Sequence, residues 1–172
     1  MNFRAATIDD LELLLHWDEQ PHVIACDPSG GGDWVPELSK KEDWRELLIA
    51  ERDDEPIGFL QIIDPKLEDS HYWGDVPPNL RAIDIWIGEA KNLNRGYGTT
   101  MMKMAFKRIF SNSDVRGILI DPLASNVNAH RFYERLGFQF LEERFFDADR
   151  CFVYELKREV YNNLDWQVSN QT

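Results

Sequence analysis

The sequence predicts an α/β protein with a mixed, mostly antiparallel central sheet. Residues 47–63 form two short apolar runs around the acidic turn Asp53-Asp54-Glu55, which predicts an antiparallel hairpin. From Arg81 onwards strand and helix patterns alternate, which predicts some parallel pairing in the second half of the chain. The chain has 172 residues, a length that fits one core. We therefore expect a single domain over residues 1–162, followed by a polar tail over residues 163–172.

The first half is divided by two capping signals and two loop signals. Thr7 and Asp10 precede leucines at helical spacing, and Ser39 with Glu42 forms a second capping box. Prolines and glycines mark the loops. The predicted elements are a strand over residues 1–6, a helix from Thr7, a long loop over 21–36 with the glycine triplet 30–32 as a flexible lid or spacer, a short helix over 39–44, the hairpin over 47–63 and a loop over 64–80.

The second half alternates strands with amphipathic helices. Apolar residues recur at helical spacing after Gly96, and Gly137 stands where a helix ends in the left-handed conformation. The predicted elements are a strand over residues 81–88, a helix over 96–110, a strand over 117–120, a helix over 126–136 and a closing hairpin over 138–156.

The charge balance restricts the classes of partner. The chain carries 31 acidic and 19 basic residues, a net charge of −12, which repels nucleic acid and anionic membranes and favours cationic substrates. Dispersed acids that only improve solubility are the alternative interpretation. The start of the chain has acids where a signal peptide has an apolar stretch, and no apolar run reaches the roughly 20 residues of a membrane span. We expect a cytoplasmic protein, monomeric or homodimeric.

The cysteines and histidines form no recognisable cluster. Cys26 and Cys151 are isolated from each other, and no histidine pair has metal-ligand spacing. We expect reduced thiols and no metal.

The most informative local motif spans residues 94–100 (NRGYGTT), directly after a strand and at the start of a helix. Glycines allow close approach of the backbone to a ligand, the helix start offers unpaired N–H groups to an anion, and Arg95 adds a cation. The motif lacks the lysine of a P-loop and the third glycine of a dinucleotide fingerprint. By itself it suits either a pyrophosphate site or a tight turn.

A second motif follows at residues 125–138 (SNVNAHRFYERLGF). Together, the two motifs resemble the acetyl-CoA half of the GNAT superfamily of N-acetyltransferases. The resemblance implies a sheet with a splayed parallel strand pair, flanked by helices on both faces, and acetyl-CoA as cosubstrate. It implies donor-binding residues on the middle strand, the glycine loop and the second helix: Ile85, Trp86, Ile87, Arg95, Gly96, Tyr97, Gly98, Thr99, Thr100, Asn126, Ala129 and Phe132.

The sequence also resembles the aminoglycoside 6′-N-acetyltransferase branch of that superfamily. The shared segments are residues 55–58 (EPIG), Ile83-Asp84, and Asp121-Pro122 before the second motif. By this resemblance Asp84 prepares the acceptor amine and Asp121 holds another substrate ammonium. Siderophore-type acyltransferases share the same broad pattern, and acylation of a protein amine or a non-catalytic CoA-binding module are further alternatives.

The chemistry of amine acylation explains Asp84 without the family. An ammonium must lose a proton before it can attack a thioester, and a carboxylate binds the cation and accepts the proton. Asp84 lies in an apolar strand, on the face opposite Ile83 and Ile85. An acid on a solvated strand face is the alternative.

The remaining candidates each have a structural alternative. Tyr133 suits a general acid that protonates the departing thiolate, or a core aromatic of an amphipathic helix. Asp121 suits a substrate carboxylate or a turn starter before proline. Trp34 and Trp73, in the two long loops, are predicted to contact a cationic acceptor through their rings.

Overall fold

Seven strands and six helices make up the described part of the chain. The computed structural model describes residues 1–28 and 32–165. The elements are β1 (Asn2–Ala5), α1 (Leu11–Asp18), α2 (Pro21–Ile24), α3 (Trp34–Ser39), β2 (Arg45–Arg52), β3 (Glu55–Ile63), β4 (Leu80–Ile87), α4 (Tyr97–Phe110), β5 (Gly117–Ile120), α5 (Val127–Arg135), β6 (Gln139–Phe146), β7 (Asp149–Lys157) and α6 (Arg158–Asn162). Short 3-10 turns precede α1 and α4.

The predicted mixed sheet is confirmed. Hydrogen bonds order the strands β1-β2-β3-β4-β5-β7-β6. The pairs β1–β2, β2–β3, β5–β7 and β6–β7 are antiparallel, whereas β4 and β5 are parallel. The parallel ladder runs from Leu80 opposite Gly117 to Ala82 opposite Leu119, although β4 continues to Ile87. The last residues of β4 therefore lie beyond the parallel ladder.

Contacts group the described residues into two compact units. Unit 1 comprises Met1–Ile63 and Ile83–Lys107, and unit 2 comprises Asp64–Ala82 with the described residues from Arg108 onwards. The single-domain assignment stays a prediction. In the described part of the chain, no helix is long and apolar enough to cross a membrane.

An aromatic cluster forms the core of unit 1. Trp17 and Trp34 pack with Leu14, Ile49 and Phe59, all nearly inaccessible to solvent. At one edge of this unit, Arg4 donates hydrogen bonds to the carboxylate of Asp10 at 2.7 Å, which fastens β1 to the start of α1. The helix start that Thr7 and Asp10 predicted is confirmed, because the Thr7 N–H also donates to Asp10 at 2.8 Å.

The core of unit 2 forms around β5, whose four residues are all buried. Helix α5 ends as predicted, with Gly137 at φ +97°. The N–H of Gly137 donates to the Glu134 carbonyl and the N–H of Phe138 to the Tyr133 carbonyl, the bond pattern of a Schellman cap. The rings of Tyr133 and Phe138 also meet edge to face, 5.7 Å between centroids.

Two local predictions in the first half were wrong. The predicted helix over residues 39–44 does not form. Helix α3 ends at Ser39, and β2 starts at Arg45. The predicted loop over residues 21–36 holds α2 and the first turn of α3. The capping-box pattern failed because the Ser39 hydroxyl instead donates to the Val35 carbonyl at 2.6 Å, at the end of α3. The loop prediction failed because Pro21 and Pro36 both stand in a first turn, where a missing N–H removes no intrahelical bond.

At the C-terminus, the sequence did not reveal the short helix α6. Arg158 starts it and donates to the carbonyl oxygens of Val115 at 2.6 Å and Phe110 at 3.2 Å. Most of the predicted tail, residues 166–172, lies outside the described residues, as do Gly30 and Gly31 of the predicted lid.

Candidate active site

The glycine loop of unit 1 has the backbone geometry of an anion site. Asn94 and Gly96 adopt φ values of +59° and +81°, which turn the chain sharply into α4. The N–H of Thr100 donates to the Gly96 carbonyl at 3.1 Å, so the N–H groups of the three residues before Thr100 have no acceptor within the helix. A Cβ placed on Gly96 would meet no atom within 4 Å. This open space at a helix start fits a phosphate group.

The end of β4, which carries Ile85, Trp86 and Ile87, lies close to β3. A Cβ on Gly58 would lie 2.4 Å from the Trp86 carbonyl oxygen, so only glycine permits this approach. The Gly88 N–H donates to the Ile57 carbonyl at 2.9 Å. On the same segment, the Nε2 of His22 lies 2.8 Å from the Ile87 carbonyl oxygen and must donate to it, because a carbonyl only accepts. Hydrogen bonds thus hold the backbone at Ile87 and Gly88, and Gly58 packs directly against Trp86.

Asp84 has a partner that sequence reasoning missed. The Nε2 of Gln61, on β3, donates to Asp84 Oδ2 at 2.5 Å, and both side chains are half-buried. The Gln61 Oε1 is buried and has no hydrogen-bond partner. The signal was present, because Gln61 is a polar residue between apolar neighbours in its strand, as Asp84 is. A carboxylate held by an amide in partly apolar surroundings suits a group that binds a cation and accepts a proton.

The structure places Trp34 in the core of unit 1, with 4% of its surface exposed. Its ring packs edge to face on Phe59, which stacks on Trp86 at 4.5 Å. The Trp34 indole N–H donates to Asp18 at 2.5 Å. Burial raises the pKa of Asp18, and this hydrogen bond offsets part of the effect. Trp34 offers little surface to a ligand, and its contact with the acceptor stays a prediction.

In unit 2, helix α5 carries the remaining donor candidates. The side-chain oxygen of Asn126 accepts from the Ala129 N–H at 3.1 Å, so Asn126 caps the helix. Phe132 and Tyr133 are both half-buried near the other end, with ring centroids 5.2 Å apart. Tyr133 therefore combines the contacts of an aromatic residue in a packed helix with partial exposure of its side chain. Its role as general acid stays a prediction.

Asp121 also has a partner in unit 2. The hydroxyl of Tyr72 donates to Asp121 Oδ2 at 2.6 Å, and the Tyr72 ring stacks on Phe146 at 4.3 Å. Trp73 packs beside them and is 3% exposed, whereas the neighbouring Tyr72 is 46% exposed. Tyr72 therefore presents more surface to solvent than Trp73 does. A pocket of about 410 Å³ next to this stack is lined by residues 70–74 and 144–147. The acceptor role of Trp73 stays a prediction.

The buried cysteine, Cys151, does not have the surroundings of a nucleophile. Neither cysteine forms a disulfide: Cys26 is exposed, and Cys151 is 3% exposed. Burial, together with the negative charges of Asp121 and Asp149, raises the pKa of Cys151 to about 11. An un-ionised buried thiol is a poor attacking group.

Comparison with known proteins gives a consistent result. Residues 7–146 match the acetyltransferase (GNAT) domain family. An aminoglycoside N(6′)-acetyltransferase type 1 from Klebsiella pneumoniae is 27% identical over 150 residues, 81% of this chain and 74% of the relative. A lysine N-acyltransferase, MbtK, from Mycobacterium tuberculosis is 27% identical over 168 residues, 90% of this chain and 76% of the relative.

The fold also matches solved structures. Aminoglycoside acetyltransferase AAC(6′)-Ib, solved in complex with ribostamycin and coenzyme A, superposes with a TM-score of 0.83 at 24% identity. The superposition covers 95% of this chain and 97% of the other. This likeness establishes the fold.

Proposed function

The chain belongs to the GNAT acetyltransferase family, and we propose that it transfers an acetyl group from acetyl-CoA to a primary amine of a small, cationic, aminoglycoside-like acceptor. The observation that carries the proposal is the continuous family match over residues 7–146, which includes Asp84, the glycine loop and Tyr133. The similarity to an aminoglycoside N(6′)-acetyltransferase over 81% of the chain supports the acceptor class. The net charge of −12 favours a cationic acceptor as well.

The donor would be held by backbone groups. The unpaired N–H groups at the start of α4 and the charge of Arg95 suit its pyrophosphate, and the N–H and C=O groups of residues 85–87 suit its pantetheine amides. Acetyl-CoA supplies the activated thioester. Asn126, Ala129 and Phe132 are proposed to contact the same donor.

Asp84 is proposed to accept a proton from the acceptor ammonium, directly or through water. The neutral amine then attacks the thioester carbonyl, so a C–N bond forms and the C–S bond breaks. Tyr133 is proposed to protonate the departing thiolate. Asp121, held by Tyr72, is proposed to pair with a second ammonium of the acceptor. Because Cys151 is buried and un-ionised, direct transfer in a ternary complex is favoured over an acyl-enzyme on Cys151.

The test is free-thiol release from acetyl-CoA with kanamycin, tobramycin, spermidine and lysine as acceptors. We expect turnover with the aminoglycosides, and a loss of roughly 10²–10⁴-fold in kcat for Asp84→Asn with unchanged affinity for CoA. Full activity of that variant would remove Asp84 as the base. CoA binding without turnover on any amine would leave a CoA-binding module.

A second candidate is acylation of a lysine-type amine on a siderophore precursor. The lysine N-acyltransferase from Mycobacterium tuberculosis matches 90% of the chain, more than the aminoglycoside relative does. The same assay with Nε-hydroxylysine and with CoA thioesters of longer acyl chains distinguishes the two candidates. Turnover with hydroxylysine and none with aminoglycosides would establish the second.

A further inference from the structure

A guanidinium group lies next to the first residue of α4. Arg52 is the last residue of β2, and its Nη1 donates to the hydroxyl of Tyr97 at 2.8 Å. The Arg52 Cζ also lies 5.6 Å from the centroid of the Tyr97 ring. Tyr97 therefore contributes its backbone N–H to the start of the helix, while its side chain fixes a cation at the hairpin side of the loop.

The charge of the protein suggests a role for the Arg52 guanidinium. The protein has a net charge of −12, yet the donor of the proposed function carries a pyrophosphate and a further phosphate on the ribose 3′ carbon. An acidic protein repels such a ligand at long range, so it must present local donors to each phosphate. The helix start and Arg95 suit the pyrophosphate, which leaves the third phosphate to be accounted for.

Arg52 has donors to spare. A guanidinium presents five N–H groups, of which Nη1 goes to Tyr97. Arg52 also forms an ion pair with Asp53, whose carboxylate lies 3.4 Å from the Arg52 Nε; the two side chains are 54% and 87% exposed. Such an exposed pair contributes little to stability and is easily exchanged for a phosphate. Arginine also matches phosphate oxygens with two parallel hydrogen bonds.

We propose that Arg52, oriented by the Tyr97 hydroxyl, binds the ribose 3′-phosphate of the CoA donor. The inference rests on the proposed function. The 3′-phosphate is favoured over the pyrophosphate because the guanidinium binds the Tyr97 hydroxyl, at the opposite end of that side chain from the backbone N–H.

The test is calorimetric titration of the full chain with CoA and with 3′-dephospho-CoA, which lacks only that phosphate. We expect Arg52→Gln to bind CoA about tenfold more weakly and to bind dephospho-CoA as the wild type does. Tyr97→Phe should weaken CoA binding by a smaller factor, because the guanidinium stays but loses its orientation. Lys41→Gln, at an exposed position in the same unit, makes the same change in net charge and should alter neither affinity.

The alternatives have distinct signatures. If Arg52→Gln weakens both ligands equally, the guanidinium serves the pyrophosphate and the assignment is wrong. If it weakens neither, Arg52 only fastens the hairpin to α4, and thermal unfolding of the variant would reveal that role. If the wild-type protein binds neither ligand, the proposed function itself fails, a result separate from any effect of Arg52.

Discussion

The approach of β3 to β4 at Gly58 gives a sharp prediction about stability. In Gly58→Ala the new Cβ would lie 2.4 Å from the Trp86 carbonyl oxygen and 3.2 Å from the Ile87 Cα. Contacts under 3.0 Å are essentially never observed for a Cβ, so the backbone of β4 must move by at least about 0.6 Å. Overpacking of this kind costs about 1–3 kcal/mol.

Part of that cost is offset in the unfolded chain. Alanine has less conformational freedom than glycine, which contributes about 0.5–1 kcal/mol in favour of the variant. We therefore expect Gly58→Ala to lower the free energy of unfolding by about 1 kcal/mol, and by at most about 2.5 kcal/mol; a loss of about 1 kcal/mol lowers Tm by about 2–4 °C. Urea denaturation followed by tryptophan fluorescence measures the difference directly.

Gly117→Ala is the matched control. Gly117 also lies in a strand, but its Cβ would meet Glu155 Oε1 at 2.7 Å, the far end of a flexible side chain that can rotate away. Because the gain from the unfolded chain applies here too, we expect this variant to be as stable as the wild type or up to about 1 kcal/mol more stable. If Gly58→Ala and Gly117→Ala are equally stable, the close backbone approach does not constrain β4, and the reasoning fails.

The same displacement should weaken donor binding. Trp86 and Ile87 belong to the proposed pantetheine-binding segment, so Gly58→Ala should also reduce CoA affinity, measured by calorimetry on the folded variant. Gly117→Ala should bind CoA as the wild type does. Unchanged CoA affinity in Gly58→Ala would show that this segment does not bind the donor.

Three further predictions concern catalysis and stability. Tyr133→Phe should lower kcat by roughly 10²–10⁴-fold in the thiol-release assay while urea unfolding stays unchanged; a purely structural tyrosine would give the opposite pattern. Gly137→Ala, at φ +97°, should lose about 1–2 kcal/mol of unfolding free energy, and equal stability would contradict the helix cap. Burial alone would raise the pKa of Asp10, but the hydrogen bonds from Arg4 and the Thr7 backbone hold it below its usual value. Its stabilising effect is thus present above pH about 4 and lost on acidification, so Asp10→Asn should flatten the fall in stability between about pH 5 and 2, and a parallel curve would refute this.

The sequence predicted elements that depend on neighbouring residues more accurately than elements that depend on residues far apart in the chain. The strand Gly117–Ile120 was predicted to the residue, and the Gly137 helix end was predicted from one glycine. Prolines misled the prediction of α2 and α3, because a proline in a first turn and one in a loop look alike in sequence. Helix α6 was missed because its first residue, Arg158, is held by hydrogen bonds to carbonyl oxygens more than 40 residues away in the sequence.

The sequence by itself determined the family and the glycine loop. A helix start preceded by glycine is built from contiguous residues, so residues 94–100 carry their geometry with them. Only the tertiary structure decided which side chains meet: Gln61 reaches Asp84 across 23 residues, and Tyr72 reaches Asp121 across 49. Strand pairing and loop packing create these contacts, and no local pattern encodes a partner so far along the chain. The burial of Trp34 was decided in the same way, because an aromatic residue predicted to lie in a loop becomes a core residue only when distant strands pack on it.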